Sequence, residues 1–138
     1  MKPYFHRVPL EVQNSFTVRH EKNTAFGTLW HYHAELELHY LVKGRGVRFI
    51  GDNISSFSDG ELILLGENLP HTWRADPQTS EAGGDVEVII IQFLNECLGS
   101  GFLQLPEAYL LPKLYEKARK GMVILGEAKN QVIRYMTQ

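Results

Sequence analysis

The sequence predicts a mainly β domain, built as a small barrel or sandwich and followed by helices. Two observations support this. Short runs rich in β-branched and aromatic residues follow one another with turn residues between them, and no helical spacing is present before about residue 105. Beyond that point apolar residues recur at intervals of three and four. We therefore expect a β domain over residues 1–100 and a helical segment over residues 101–138.

Eight runs are predicted to form strands, and most are separated by residues that favour turns. Examples of these turns are Gly44-Arg45-Gly46, Gly51-Asp52-Asn53 and Ser58-Asp59-Gly60. The looser segment from Asp76 to Gly84 precedes the last run. The predicted strands are residues 16–20, 26–33, 36–43, 47–51, 54–57, 61–65, 71–75 and 86–94.

Two helices are predicted after the strands. The first takes Pro106 in its first turn and ends at Gly121, and Pro112 is expected to kink or restart it. The second begins near Glu127 and its pattern is still running at Gln138, so we expect the chain to be a fragment of a longer protein. The apolar stripes are Leu111, Leu114, Tyr115 and Ala118 in the first helix, and Ala128, Val132, Tyr135 and Met136 in the second.

Composition excludes several classes of function. The net charge is −2, and the 14 Lys and Arg residues are scattered, which disfavours DNA binding by this chain alone. No apolar run is long enough to cross a bilayer and the start lacks a signal-peptide core, so we expect a cytoplasmic protein without a membrane segment. The single cysteine, Cys97, excludes an internal disulfide and a thiolate-rich zinc site. A metal would have to be held by histidine and carboxylate.

The stretch HYHAELELH, residues 31–39, concentrates three of the six histidines and Glu37 in nine positions. His31-x-His33-x3-Glu37-x6-Gly44 is followed later by Gly60-x5-Gly66-x-Asn68-x2-His71. In spacing, these two blocks resemble the two sequence motifs of the cupin superfamily, whose jelly-roll barrels hold a metal with two His and a Glu from the first block and one His from the second.

The resemblance implies that His31, His33, Glu37 and His71 bind one divalent transition metal, namely Zn, Ni, Fe or Mn. The spacing is compatible with this, because alternate residues of a strand share a face and residues 34–36 can turn the chain back so that Glu37 lies beside the histidines. The second block departs from the superfamily at Gly66, Asn68 and Ala75, where Pro, Gly and Asn are usual. A metal-free set of solvated or hydrogen-bonded histidines remains an open alternative.

A narrower resemblance covers nearly the whole chain. The residues LGENLPHTW at 65–73, after HYHAELELHYLVKGRGVRFIGD at 31–52, are similar to the N-terminal sensing domain of AraC-type transcriptional regulators. In that branch Gly66 and Asn68 belong to the signature, and the segment from residue 105 resembles its helical linker. The resemblance implies a small-molecule effector, with a sugar as one candidate, a homodimer, and DNA binding only through a C-terminal domain that this chain lacks.

Two further residues are predicted to contact the effector. His39 shares its strand face with Glu37, and Trp73 shares its face with His71, so both are expected to point into the barrel. A core aromatic is the alternative role of Trp73. A different class of function also stays open: a stand-alone metal-dependent cupin enzyme, a dioxygenase or sugar isomerase, with Glu35 or His39 as general base.

The opposite face of the strand at 36–43 is apolar, with Leu36, Leu38, Tyr40 and Val42. Exposed, such a stripe would be a liability. We expect either the helical segment or a second copy of the domain to cover it.

Overall fold

A computed structural model describes residues 2–8, 16–22, 29–75, 86–99 and 101–138. Part of the predicted strand 26–33 and the segment from Asp76 to Gly84 lie outside the described residues. Within the described residues the strands are β1 (Tyr4–Phe5), β2 (Phe16–Lys22), β3 (His31–Tyr32), β4 (Leu36–Lys43), β5 (Gly46–Ile50), β6 (Asn53–Phe57), β7 (Leu62–Leu65), β8 (His71–Ala75), β9 (Glu87–Phe93) and β10 (Met122–Val123).

The strands form two five-stranded sheets. One has the order β1-β3-β8-β5-β6 and the other has the order β10-β7-β4-β9-β2. The pairs are antiparallel except for β1 with β3. One apolar cluster joins the two sheets, since it contains Leu41 and Ile63 from the second sheet together with Ile50 and Trp73 from the first. The core therefore lies between the sheets, and strand residues that point inward reach the same interior.

Alternation along β4 decides which residues face that interior. Glu37, His39 and Leu41 are buried on the inner side, as their shared parity predicts. On the other side Leu36 packs with Leu64 and Ala118, and Leu38, Leu114 and Tyr115 pack against the same group. The helical segment therefore covers the Leu36 end of the apolar face within the monomer, as one of the two sequence alternatives predicted. Leu111 is not a member of this cluster.

The helices are α1 (Leu110–Ala118) and α2 (Gly126–Met136), preceded by two 3-10 turns at Phe102–Gln104 and Pro106–Ala108. Pro112 lies in the first turn of α1, where a missing N–H costs no intrahelical hydrogen bond, so the helix restarts there rather than kinks. Gly121 adopts φ +81 and ends the segment as predicted. None of the α2 residues is buried. In the second apolar stripe Val132 and Met136 are half-buried, whereas Ala128 and Tyr135 are exposed, the latter by 74%.

Two positions in the second sequence block have a visible structural reason. Asn68 adopts φ +56, a left-handed conformation that Gly or Asn tolerates, which explains the interchange of these two residue types. The Gly66 N–H donates to the carbonyl of Ala118 at 2.7 Å, and a Cβ at Gly66 would lie 2.7 Å from the same oxygen. Proline could not donate this hydrogen bond, and a larger residue would push α1 away from the barrel.

Candidate metal centre

Three histidines converge at one end of the first sheet. His31 on β3 lies directly opposite His71 on β8, and His33 follows His31 two residues later. One ring nitrogen of each of these residues lies within 4.8 Å of the corresponding atoms of the other two. Antiparallel pairing of β3 with β8 is thus what brings the distant second block to the first.

The other ring nitrogen of each histidine is held by the backbone. Nδ1 donates to a carbonyl oxygen two residues away in all three: His31 to Leu29 at 2.5 Å, His33 to Glu35 at 2.9 Å and His71 to Leu69 at 2.7 Å. A carbonyl can only accept, so Nδ1 carries a proton and Nε2 is the ring nitrogen that the backbone does not engage. This is the arrangement found behind metal-binding histidines, where the second nitrogen fixes the tautomer and the ring orientation.

Glu37 reaches the histidines from the opposite sheet. Its Oε1 lies 3.2 Å from His33 Nε2 and 3.8 Å from His71 Nε2, and it accepts a hydrogen bond of 3.0 Å from Gln92 Nε2. Burial favours the neutral acid, but the charge of His71 and the hydrogen bond from His33 outweigh it, so the pKa of Glu37 lies well below its usual value. The structure therefore places an ionised carboxylate beside two of the three rings.

Two opposing effects act on the pKa of His33. Burial disfavours its charged form, yet the hydrogen bond to Glu37 and the negative charge of that residue raise its pKa above 6.5. Without a metal, Nε2 holds a proton that it donates to Glu37. For His31 the balance is reversed, because burial and the charge of His71 lower its pKa to about 4. A neutral His31 is ready to act as a ligand near pH 7.

One atom of the cluster is left without a partner. His71 Nε2 is buried and has no hydrogen-bond partner among the described residues, since Glu37 at 3.8 Å is beyond hydrogen-bond distance. A buried, unpaired polar atom is costly. A cation bound between the imidazoles and Glu37 would satisfy it, and nitrogen and carboxylate donors suit a divalent first-row metal. The donor set fits such an ion.

The two residues predicted to bind an effector form a different structure. The rings of His39 and Trp73 stack at 3.9 Å between centroids and 6° between planes, which ties β4 to β8 across the interior. Trp73 is 2% exposed and belongs to the apolar core cluster. Burial lowers the pKa of His39 to about 4. Trp73 thus occupies the core position that was its alternative role, and effector contact by these two residues stays a prediction.

Two residues of the site were not predicted from the sequence. Gln92 on β9 is buried, donates to Glu37 and accepts from Thr17 Oγ1 at 3.3 Å. Its parity on a predicted strand could have indicated an inward direction, but not its partner. The ring centroid of His6 lies 5.8 Å from that of His31 and 6.5 Å from that of His33. No local signal marks His6, because a short parallel pairing of β1 with β3 places it there.

Comparison with known proteins gives structural likeness only. No protein-family model and no curated protein matches the chain. Among solved structures, ToxT from Vibrio cholerae superposes with a TM-score of 0.54 at 13% identity, over 90% of this chain and 47% of ToxT. The plu4264 protein from Photorhabdus luminescens gives 0.50 at 19% identity, over 79% of this chain and 80% of that protein.

A cupin 2 conserved barrel domain protein from Rhodopseudomonas palustris gives a TM-score of 0.48 at 16% identity. The match covers 62% of this chain, which spans only 57% of that protein. Within the described residues no helix is long and apolar enough to cross a membrane. Likeness at such identities shows the fold alone, and the two matches at 0.50 and 0.54 confirm the predicted fold class, a mainly β barrel with helices after it.

Proposed function

We propose that this chain is the effector-sensing domain of an AraC-type transcriptional regulator, and that it binds one divalent transition metal through His31, His33, Glu37 and His71. The metal site is supported above all by the backbone hydrogen bonds at all three Nδ1 atoms, which leave Nε2 of each ring as the possible ligand atom, two of them beside an ionised carboxylate. A bound ion would supply positive charge and a coordination position open to a small molecule.

Likeness to ToxT supports the regulatory part. ToxT is an AraC-family regulator, and the match covers 90% of this chain but only 47% of ToxT. In the proposal, the remainder of a longer protein would supply the DNA-binding unit, and the domain would dimerise through its helical segment. The exposed apolar residues of α2, such as Tyr135, are available for that contact.

In the proposal, each residue of the site has a separate role in binding the ion. Glu37 neutralises the charge of the ion on the inner side, and Gln92 orients Glu37 through its hydrogen bond at Oε1. Leu29, Glu35 and Leu69 hold the imidazoles in place through their carbonyl oxygens. The effector would enter on the side of half-buried His31, since His33, Glu37 and His71 are almost fully buried. A sugar or another small molecule with oxygen donors suits this position.

Metal analysis tests the proposal. Protein purified without a histidine tag should contain about one equivalent of metal per chain, as three nitrogens and one carboxylate form one site. The His33→Ala and His71→Ala variants should contain none. His20→Ala is the matched control, because His20 pairs with Glu87 at 2.6 Å on the edge strand β2. Metal-free wild type that also fails to bind added Zn²⁺, Ni²⁺, Fe²⁺ or Mn²⁺ would refute the metal site.

A ligand screen separates a sensor from an enzyme. The metal-loaded protein should show a raised melting temperature with one class of sugar or related metabolite, because a ligand that binds only the native state stabilises it. A sensor returns the compound unchanged after long incubation. Turnover of the compound that depends on the metal would instead favour the enzyme alternative.

A further inference from the structure

A fourth imidazole stands beside the candidate metal centre. The ring of His6 makes edge contacts with those of His31 and His33, at 5.8 and 6.5 Å between centroids. It is not one of the three histidines whose nitrogens lie within 4.8 Å of one another. His6 is thus adjacent to the ligand set without belonging to it.

The backbone fixes this position. β1 pairs in parallel with β3, with Tyr4 opposite His31 and Phe5 opposite Tyr32. The N–H of His6 then donates to the carbonyl of Tyr32 at 2.8 Å. Tyr4 also packs on His31 at 5.9 Å between ring centroids. The ring of His6 is therefore held next to the centre by a strand and not by a free terminus.

Burial distinguishes two sides of the centre. On the inner side Glu37 and Gln92 are each 3% exposed and bonded to each other. On the outer side His31 and His6 are half-buried. Among these described residues, it is therefore the outer side of the centre that is partly exposed to solvent. Within the described part of the chain the His6 ring has no hydrogen-bond partner, and a neutral imidazole can both donate and accept.

We propose that His6 forms a hydrogen bond with the small ligand that binds on the outer side of the His31, His33 and His71 centre. The inference rests on the proposed metal site and adds a ligand-positioning residue to it. The ligand class is a small anion or an oxygen-bearing molecule, which can occupy the metal and accept from an imidazole at the same time.

The test uses cobalt(II) as the metal and azide as the ligand. Cobalt affinity and azide affinity are read from the visible spectrum of wild type, His6→Ala, His6→Phe and His20→Ala. His6→Phe keeps a ring against Tyr4 and His31 but removes both nitrogens. His20→Ala removes a histidine that lies on β2 and pairs with Glu87. Thermal melts establish that each variant is folded.

Both His6 variants should bind cobalt like wild type but bind azide about 3- to 10-fold more weakly, the usual size of one lost hydrogen bond. His20→Ala should match wild type in both measurements. Equal azide affinity in wild type and His6→Phe would overturn the inference. Loss of cobalt affinity by more than about 100-fold in both His6 variants would also overturn it, because His6 would then be a direct ligand. Wild type that binds no cobalt would refute the metal site itself, which is a distinguishable failure.

Discussion

This barrel holds two groups of buried and half-buried histidines that look alike by composition and differ in geometry. In the first, His31, His33 and His71 each bring one ring nitrogen within 4.8 Å of the others, and Glu37 lies beside His33 and His71. In the second, His39 lies face to face on Trp73 at 3.9 Å within the apolar core. Burial lowers the pKa of His31 and of His39 to about 4 alike, so the pKa does not separate the two groups.

The direction of the ring nitrogens separates them. A face-to-face stack gains its stability from contact area and ring polarisation, which is a packing role. Ring nitrogens that converge bring their lone pairs close together, which is unfavourable unless a proton or a cation lies between them. Histidines whose pKa is lowered alike thus mark a core in one place and a candidate binding site in the other.

The largest expected effect is on stability, at the stack. Trp73→Ala removes a fully buried ring from the core and should lower the free energy of unfolding by about 3–5 kcal/mol. Metal affinity of the folded variant should fall much less than in His71→Ala, because the Trp73 ring contacts the His71 ring at 5.6 Å between centroids but supplies no ligand atom. Urea denaturation and metal titration measure the two quantities. Loss of metal binding together with stability would mean that the stack is part of the centre.

Removal of one of the three convergent ring nitrogens should act mainly on metal affinity and not on stability. His71→Ala should weaken zinc binding by more than about 100-fold, because loss of a ligand exceeds the 10- to 100-fold cost of losing a group behind one. His39→Phe is the matched control, since it retains an aromatic ring against Trp73 and lies outside the group of three. Isothermal titration with Zn²⁺ compares them. Similar losses in the two variants would remove the distinction drawn between the groups.

Loss of the Gln92 amide should lower metal affinity less than loss of a ligand does. Gln92→Leu keeps the approximate volume but removes the N–H group that donates to Glu37 Oε1 at 3.0 Å. Metal affinity should fall by about 10-fold, the lower part of the range for groups that orient a ligand. The same titration measures it, with Thr17→Val as a control that removes only the more distant hydrogen bond to Gln92. Unchanged affinity in Gln92→Leu would show that Glu37 needs no such support.

The pH should affect metal affinity and stability through protonation of His33. Its pKa is raised above 6.5, so below that pKa a proton and the metal compete for Nε2 and the metal affinity should fall by about tenfold per pH unit. In the metal-free protein, stability depends on pH in the opposite direction from metal affinity. The stability that the charged ring gains beside Glu37 is present below pH 6.5 and is lost as the pH rises through the raised pKa. Titrations with Zn²⁺ and urea melts between pH 5.5 and 8.5 check both signs, and a flat metal affinity over that range would contradict them.

Much of the fold followed from the sequence because it depends on local patterns. Alternation along β4 correctly places Glu37, His39 and Leu41 inward. The predicted helical stripe packs over Leu36 except at Leu111, which is one of the two covers that the sequence left open. Two-residue strands escaped prediction, because β1 and β10 are too short to show a period and exist only through their partners β3 and β7. The approach of His6 to His31 depends on one of those pairings.

Side-chain partners were harder to foresee than strand faces. The family resemblance implied four donors at one site but carried no information on the backbone carbonyls of Leu29, Glu35 and Leu69, which fix the rings. The sequence also could not distinguish whether Trp73 contacts a ligand or stacks on His39, because both roles require the same inward direction. Such choices are made by packing across strands that are distant in sequence.

X-ray absorption of the zinc-loaded protein tests the central claim most directly, because it reports the atoms bound to the ion. We expect a coordination sphere of three imidazole nitrogens and carboxylate oxygen, with one imidazole lost in His71→Ala and none lost in His39→Phe. A sphere without imidazole scattering, or one that is identical in wild type and His71→Ala, would contradict it.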